Sequence, residues 1–356
     1  MKIHKSEIAP KLKQLRGFIA QRNNITATQG ILFHNSTLIA SDLELAVSTP
    51  IAAPINDESF IITPSAIDFI MNLPNEEITI EPKNGKLNIK CGKAHASFGT
   101  EPADSFPTSD IFGLEEMEAS YECEAETMMS ALSCVAFACD NGKLASRPIY
   151  SGVKLQTKDK RLNIVASDGQ RMAWCNFDCN AKIDISIHKK HLQKIMSLGL
   201  TGMMKLYIIE NKKAVFRTEK YTVYSSLLMG DYTDYESIFR KAANVADYAE
   251  ADTKAAIDIL NRAIICGEKN RPTELVFEQN SLTVRAKSGS ADFSEVLPIE
   301  MGRRKDVTIG INAVYLLEAL KAAESSTVEI RVGGATSPIL IRTEKLEQLI
   351  LPIRLR

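Results

Sequence analysis

The chain has 356 residues, of which 45% are hydrophobic and 24% charged, and its 43 basic and 44 acidic side chains leave a net charge of −1. That is the composition of a globular protein with enough apolar side chains for a core, and the length exceeds one ordinary domain. No apolar run approaches the roughly 20 residues that span a bilayer, and Met1 to Lys5 lead into polar helix and not into a signal sequence, so no membrane partner and a cytoplasmic location are expected. Seven cysteines, at 91, 123, 134, 139, 175, 179 and 266, form no CxxC pair. They read as reduced thiols, and no metal site or cofactor is expected.

Elements recur along the chain. A helix is predicted over Glu7 to Ile19, with Ile8, Leu12, Leu15 and Ile19 at helical spacing. Strands follow at 30–33 and 43–47, then a helix over Ser65 to Leu73 with Pro64 in its first turn. Ile78–Ile80 and Leu87–Ile89 flank Asn84-Gly85, a two-residue hairpin signal, and a last strand covers 94–98. A second series has a helix near 126–138, strands at 152–155 and 162–165, a helix over 189–198, and strands at 205–209, 214–217 and 223–228. A third has a helix over 253–266, strands near 274–277 and 282–286, a helix over 312–322, and strands at 328–332, 339–342 and 348–353. Apolar periodicity lapses at 111–119 and 240–251, where linkers are expected.

The series share words as well as order. Ala40-Ser41-Asp42 returns as Ala166-Ser167-Asp168, and Ala286 closes a degenerate third copy, at separations of 126 and 120 residues. Ile70-Met71-Asn72-Leu73 returns as Ile195-Met196-Ser197-Leu198, 125 residues on. Two independent landmarks with one period establish internal triplication. The expected fold is α+β, three repeated domains over 1–118, 119–243 and 244–356, each with two helices on antiparallel sheet.

Four segments then resemble one family. Val165-Ala166-Ser167-Asp168-Gly169-Gln170-Arg171-Met172-Ala173 resembles the ATDGHRLA signature of the bacterial DNA polymerase III beta subunit, the beta sliding clamp. Ser41-Asp42-Leu43-Glu44 resembles its TDLE, Gly230 to Tyr235 its GxFPDY, and Leu351-Pro352-Ile353-Arg354-Leu355 its MPMRL ending. The resemblance runs through the whole chain in order. It implies a head-to-tail homodimer whose six domains close a ring around double-stranded DNA, lined by helices. It implies no catalysis and no cofactor. The implied partners are DNA without sequence preference, the DNA polymerase III alpha subunit, a clamp loader and other proteins carrying a clamp-binding motif.

The resemblance also implies sites. A pocket for partner peptides would use Tyr150, Ser167, Gly169, Gln170, Arg171, Met172, Thr233, Ser237, Ile238, Leu349, Leu351, Pro352 and Ile353. The family has His where Gln170 stands, Pro where Thr233 stands and a basic residue where Ser237 stands, and Arg356 extends the usual ending. DNA contact is implied first for Arg22 and Lys190, and the helical cations Lys11, Lys13, Lys189 and Lys194, with Arg147, complete the set. Long, flexible cations suit phosphate contacts that ignore base identity. Phe98, Ile264 and Ile265 match the subunit interface.

Two other functions are open to a chain of this kind. An enzyme using Asp42 or Asp168 as a catalytic carboxylate is disfavoured, because an Asp after a strand is a common turn former and no Walker loop, triad order or zinc spacing accompanies it. A clamp-like protein that sequesters clamp partners without encircling DNA is the alternative to a true clamp.

Overall fold

The computed structural model describes residues 1–21, 24–52, 58–108, 117–142, 144, 146–269, 271–302 and 306–355. A phrase of strand, helix, four strands, helix and three strands occurs three times, the third copy with one additional short strand. Its first copy is β1 (Lys2–His4), α1 (Lys5–Leu15), β2 (Ile31–His34), β3 (Thr37–Ser41), β4 (Leu45–Pro50), β5 (Phe60–Ile62), α2 (Pro64–Asn72), β6 (Glu77–Lys83), β7 (Lys86–Cys91) and β8 (Ala94–Gly99). The second is β9 (Tyr121–Glu124), α3 (Ala125–Ala136), β10 (Gly152–Lys158), β11 (Arg161–Ser167), β12 (Arg171–Asp178), β13 (Asp184–His188), α4 (Lys189–Ser197), β14 (Met203–Ile209), β15 (Lys213–Arg217) and β16 (Thr222–Ser226). A connecting helix, α5 (Tyr235–Ala243), precedes the third copy: β17 (Tyr248–Asp252), α6 (Thr253–Cys266), β18 (Thr273–Glu278), β19 (Ser281–Lys287), β20 (Asp292–Pro298), the short β21 (Glu300–Met301), β22 (Val307–Ile311), α7 (Ala313–Ala322), β23 (Thr327–Val332), β24 (Ile339–Arg342) and β25 (Leu346–Ile350).

Each copy builds two four-stranded antiparallel sheets. One kind runs β5-β2-β3-β4, β13-β10-β11-β12 and β22-β18-β19-β20, and the other β1-β6-β7-β8, β9-β14-β15-β16 and β17-β23-β24-β25. Two joints fuse them edge to edge. β4 pairs with β16, from Leu45 opposite Ser225 to Ser48 opposite Thr222, to make an eight-stranded sheet. β12 pairs with β25, from Arg171 opposite Ile350 to Cys175 opposite Leu346, to make a sheet that β21 extends to nine strands. Because each joint takes half of the middle repeat, the chain packs as two compact units, residues 1–129 with 190–227 and residues 130–189 with 228–356. Of the two edge types that meet at these joints, β8 and β20 have no second partner strand among the described residues.

The helices follow from their caps and stripes. Asp252 accepts the Ala255 N–H at 2.7 Å at the start of α6, and Ala256, Ile259, Leu260 and Ala263 turn one face inward. In the β6–β7 hairpin Asn84 and Gly85 take φ of +52° and +69°, the left-handed pair that a two-residue turn requires. The third copy closes its core with Leu275, Phe277 and Val284 from strands and Leu316 and Leu320 from α7.

Some boundaries differ from expectation. α1 ends at Leu15, and a 3-10 turn over Arg16–Phe18 buries Phe18 while Ile19 is only half-buried. Position 43 is in a turn with φ of +78°, so the strand expected over 43–47 begins at Leu45. The stretch 240–251 is not a linker: Asp234 accepts the Ser237 N–H at 3.2 Å, Tyr235, Phe239 and Ala242 are buried at helical spacing, and β17 starts at Tyr248. The last strand stops at Ile350, and Ile353 instead donates its N–H to Gly310 O at 2.7 Å. The linker expected at 111–119 falls largely outside the described residues.

Candidate partner-binding groove and interfaces

The Ser-Asp words are turn devices. After β11, the Asp168 carboxylate accepts the N–H groups of Gln170 and Arg171, both at 2.9 Å, and the Arg171 guanidinium at 3.0 Å from Nε. The Ser167 hydroxyl accepts Gly169 N–H at 3.1 Å and donates to Arg171 O at 2.8 Å. Gly169 takes φ of +81°, which favours glycine. After β3, Asp42 caps Glu44 and Leu45 N–H in the same way, at 3.2 and 2.8 Å. Both carboxylates are therefore occupied in holding a turn.

Arg171 is the centre of the second turn. Its buried guanidinium binds Asp168, pairs with Glu318 on α7, donates to Phe137 O at 2.8 Å, and stacks 4.2 Å above the Tyr315 ring. A buried cation needs such a complete shell, since losing a partner leaves its charge uncompensated. Tyr315 also donates to the Gln170 amide oxygen at 3.2 Å. The sequence analysis did not single out Phe137, Tyr315 or Glu318. They lie far from Arg171 along the chain, and no local motif marks them.

Beside this turn, Met172 and Leu349 face each other across the β12–β25 joint and are buried in one cluster with Tyr235, Phe239 and Ala242 of α5. Trp174 completes it, 5.1 Å from the Phe239 ring and 5.7 Å from Tyr235. The tail then leaves the sheet: Leu351 N–H donates to Gln170 O at 2.8 Å, and the Leu351 and Ile353 side chains are 46% and 41% exposed. Ile238, on the outer side of α5, is 37% exposed. Tyr150 is buried, meets Tyr232 edge-on at 5.4 Å, and accepts Arg147 Nη1 at 3.2 Å. Burial holds the Tyr232 phenol well above its ordinary pKa. Thr233 and Ser237 flank Asp234 at the start of α5, both half-buried. The expected pocket residues thus lie on the turn after β11, the β12–β25 joint, the start of α5 and the tail, with Tyr150 on a separate 3-10 turn over Pro148–Ser151. Of its apolar members Met172 and Leu349 are buried, and Ile238, Leu351 and Ile353 are exposed.

Three family profiles match the chain in order: the N-terminal domain of the DNA polymerase III beta subunit over 1–110, its central domain over 122–234 and its C-terminal domain over 242–354. The chain belongs to the DNA polymerase III beta subunit family. Curated relatives include the beta sliding clamps of Haemophilus influenzae, 23% identical over 371 residues with 99% of each chain covered, and Bacillus subtilis, 23% identical over 383 residues with 99% and 98% covered. Among solved structures, the DNA polymerase sliding clamp of Bacillus subtilis superimposes with a TM-score of 0.91 at 21% identity, over 100% of this chain and 99% of that one. The polymerase beta subunit of Streptococcus pyogenes does so with 0.90 at 22% identity, over 99% of each. The fold is the three-domain clamp fold, with helices on antiparallel sheets.

In this beta-subunit chain the expected DNA-contacting cations are in different states. Lys13 and Lys190 are exposed, and Lys189 donates to Asn141 Oδ1 at 3.1 Å. Lys11 is engaged with Pro50 O, and Lys194 pairs with Asp42 at 2.9 Å beside the Phe18 ring. Arg147 stands over Tyr150 beside the candidate pocket, and Arg22 lies outside the described residues. Of the expected interface residues, Phe98 on β8 is half-buried against Phe69, Ile264 is half-buried, and Ile265 is 83% exposed. No helix among the described residues is long and apolar enough to cross a membrane.

Proposed function

We propose that this sliding clamp works as a head-to-tail homodimer: a ring of six domains, bounded in each chain at 1–118, 119–243 and 244–356, through which duplex DNA passes. One observation carries the ring. A β4-type edge meets a β16-type edge at both joints within the chain, and the same two types of edge, β20 and β8, are left open. An exposed edge strand invites pairing, and here the complementary edge belongs to another copy of the same chain. The apolar Ile265 and the half-buried Phe98 support burial there.

The ring tethers partners and performs no chemistry of its own, in the cytoplasm. The DNA polymerase III alpha subunit, the clamp loader and other motif-bearing proteins dock in the groove of Tyr150, Ser167, Gly169–Met172, Thr233, Ser237, Ile238, Leu349 and Leu351–Ile353. Each buried aliphatic anchor contributes about 1.5–3 kcal/mol, so two anchors give exchangeable binding. DNA is held by Arg22, Lys190, Lys11, Lys13, Arg147, Lys189 and Lys194 through its phosphates. Loading on circular DNA followed by linearisation tests the reading. A ring slides off the cut ends, whereas a protein that only sequesters partners never becomes DNA-bound in the first place.

A further inference from the structure

Two thiols do more than fill space. Cys134 on α3 and Cys175 on β12 hold their Sγ atoms 3.6 Å apart, and both lie within donating distance of one carbonyl, Ala131 O, at 3.1 and 3.4 Å. Both belong to the second compact unit. Cys134 is half-buried and Cys175 fully buried, so an oxidant reaches the first and is shielded from the second. We propose that Cys134 and Cys175 are a disulfide-forming pair that reacts with hydrogen peroxide, a modification site independent of the clamp reading.

The division of labour follows from their surroundings. The hydrogen-bonding contact with Cys175 holds the Cys134 thiol below its ordinary pKa, while the same contact and burial hold Cys175 well above. The thiolate is the reactive form, so Cys134 attacks first. Its sulfur takes one peroxide oxygen, the O–O bond breaks, and the departing hydroxide is protonated to water, leaving a sulfenic acid. The Cys175 sulfur then attacks the sulfenic sulfur. The S–S bond forms, the S–O bond breaks, and the Cys175 proton leaves with the hydroxyl as a second water. Two thiols and one peroxide give one disulfide and two waters, with two electrons passing from sulfur to oxygen. The sulfurs must close from 3.6 Å to a bond of about 2 Å, a movement that rotation of the half-buried Cys134 side chain supplies. The bond joins α3 to β12, the strand whose Arg171 already reaches Phe137 O just past α3 at 2.8 Å. Cys139, by contrast, is pushed up to about 12 by burial and stays inert.

The full chain, reduced and freed of reductant, is treated with hydrogen peroxide, denatured, alkylated with N-ethylmaleimide and digested without reduction for mass spectrometry. The expected result is a linked Cys134–Cys175 peptide and five alkylated cysteines in place of seven, restored to seven by dithiothreitol. In C175S, whose hydroxyl keeps a hydrogen-bonding group beside Cys134 but cannot form the disulfide, dimedone should trap the sulfenic acid on Cys134. Peroxide consumption spread over the other cysteines with no Cys134–Cys175 peptide in the parent protein overturns the proposal. So does a C134A variant that loses two thiols as fast as the parent.

Discussion

Ring closure has a predicted register. The turns Asp42 N–Leu45 O, Asp168 N–Arg171 O and Ser288 N–Ala291 O make Ala291 the counterpart of Leu45 and Arg171. The turns closing at Thr218–Tyr221 and Thr343–Leu346, with the Cys91–Ala94 pair, make Phe98 the counterpart of Ser225 and Ile350. Leu45 faces Ser225 and Arg171 faces Ile350, so Ala291 of one copy should face Phe98 of the other, and Asp292 should face Ser97. The Leu351 N–H bond to Gln170 O marks every second pair as hydrogen-bonded, and Asp292 with Ser97 falls in that set. Opposite Cα atoms in such a pair lie about 5.5 Å apart, within the roughly 4.4–6.8 Å that a disulfide spans. The double variant S97C/D292C should therefore form covalent dimers under mild oxidation, seen in non-reducing electrophoresis as a band at twice 39.3 kDa. Val296 points the same way four residues along β20, about 13 Å further, so S97C/V296C is the control. Equal linking in both variants, or none in S97C/D292C while the protein sediments as a dimer, refutes the register.

Other consequences are quicker to measure. Ile265→Ala should weaken the dimer by about 1.5–3 kcal/mol at each interface, which sedimentation equilibrium reads as a dissociation constant raised at least tenfold. Removing residues 351–356 should abolish binding of polymerase-derived peptides, measured by fluorescence anisotropy, and leave the dimer intact. Alanine at Arg22 and Lys190 together should shorten retention on DNA equally for all sequences and flatten its salt dependence, as timed dissociation at several salt concentrations would show. Burial holds His191, which hydrogen-bonds the Ser225 hydroxyl at 3.0 Å, below its ordinary 6.5 despite the opposing pull of Asp42 and Glu44. The folded state then binds this proton less readily than the unfolded chain, so its contribution to stability is complete above about pH 6.5 and declines as pH falls below it. Thermal unfolding of His191→Gln should show a smaller acid decline than the parent.

The period of the sequence was legible because each repeat must bury the same faces: a helix stripe such as Ala256, Ile259, Leu260 and Ala263 survives divergence where polar positions drift. α5 was missed because its apolar residues, Tyr235, Phe239 and Ala242, are sparse and set among Glu236, Arg240 and Lys241. Only tertiary packing on Met172 and Leu349 makes that face a core face. β20, which no expected strand covers, alternates exposed and half-buried residues from Asp292 to Val296, a weak signal for a strand whose partner is absent, whereas β8 was expected over 94–98. The Ser167-Asp168 turn was legible as a repeated word, whereas the shell of Arg171 was not, since Phe137, Tyr315 and Glu318 meet it through folding alone.

The proposed docking groove lies at the second joint and not the first, and side chains on a shared backbone distinguish the two. Leu351 N–H binds Gln170 O at 2.8 Å, and Ser226 N–H binds Glu44 O at the same distance, so the two joints open in the same way. Met172 opposite Leu349 corresponds to Ala46 opposite Tyr224, and exposed Leu351 corresponds to Ser226. A hydroxyl in place of an isobutyl group forfeits the apolar contact that an aliphatic anchor needs, worth about 1.5–3 kcal/mol for full burial. At the second joint α5 also supplies the exposed Ile238, while its Tyr235 and Phe239 are buried with Met172 and Leu349. The proposed binding site therefore needs no new fold: one intercalated helix and larger side chains at Met172 and Leu351 distinguish the second strand joint from the first.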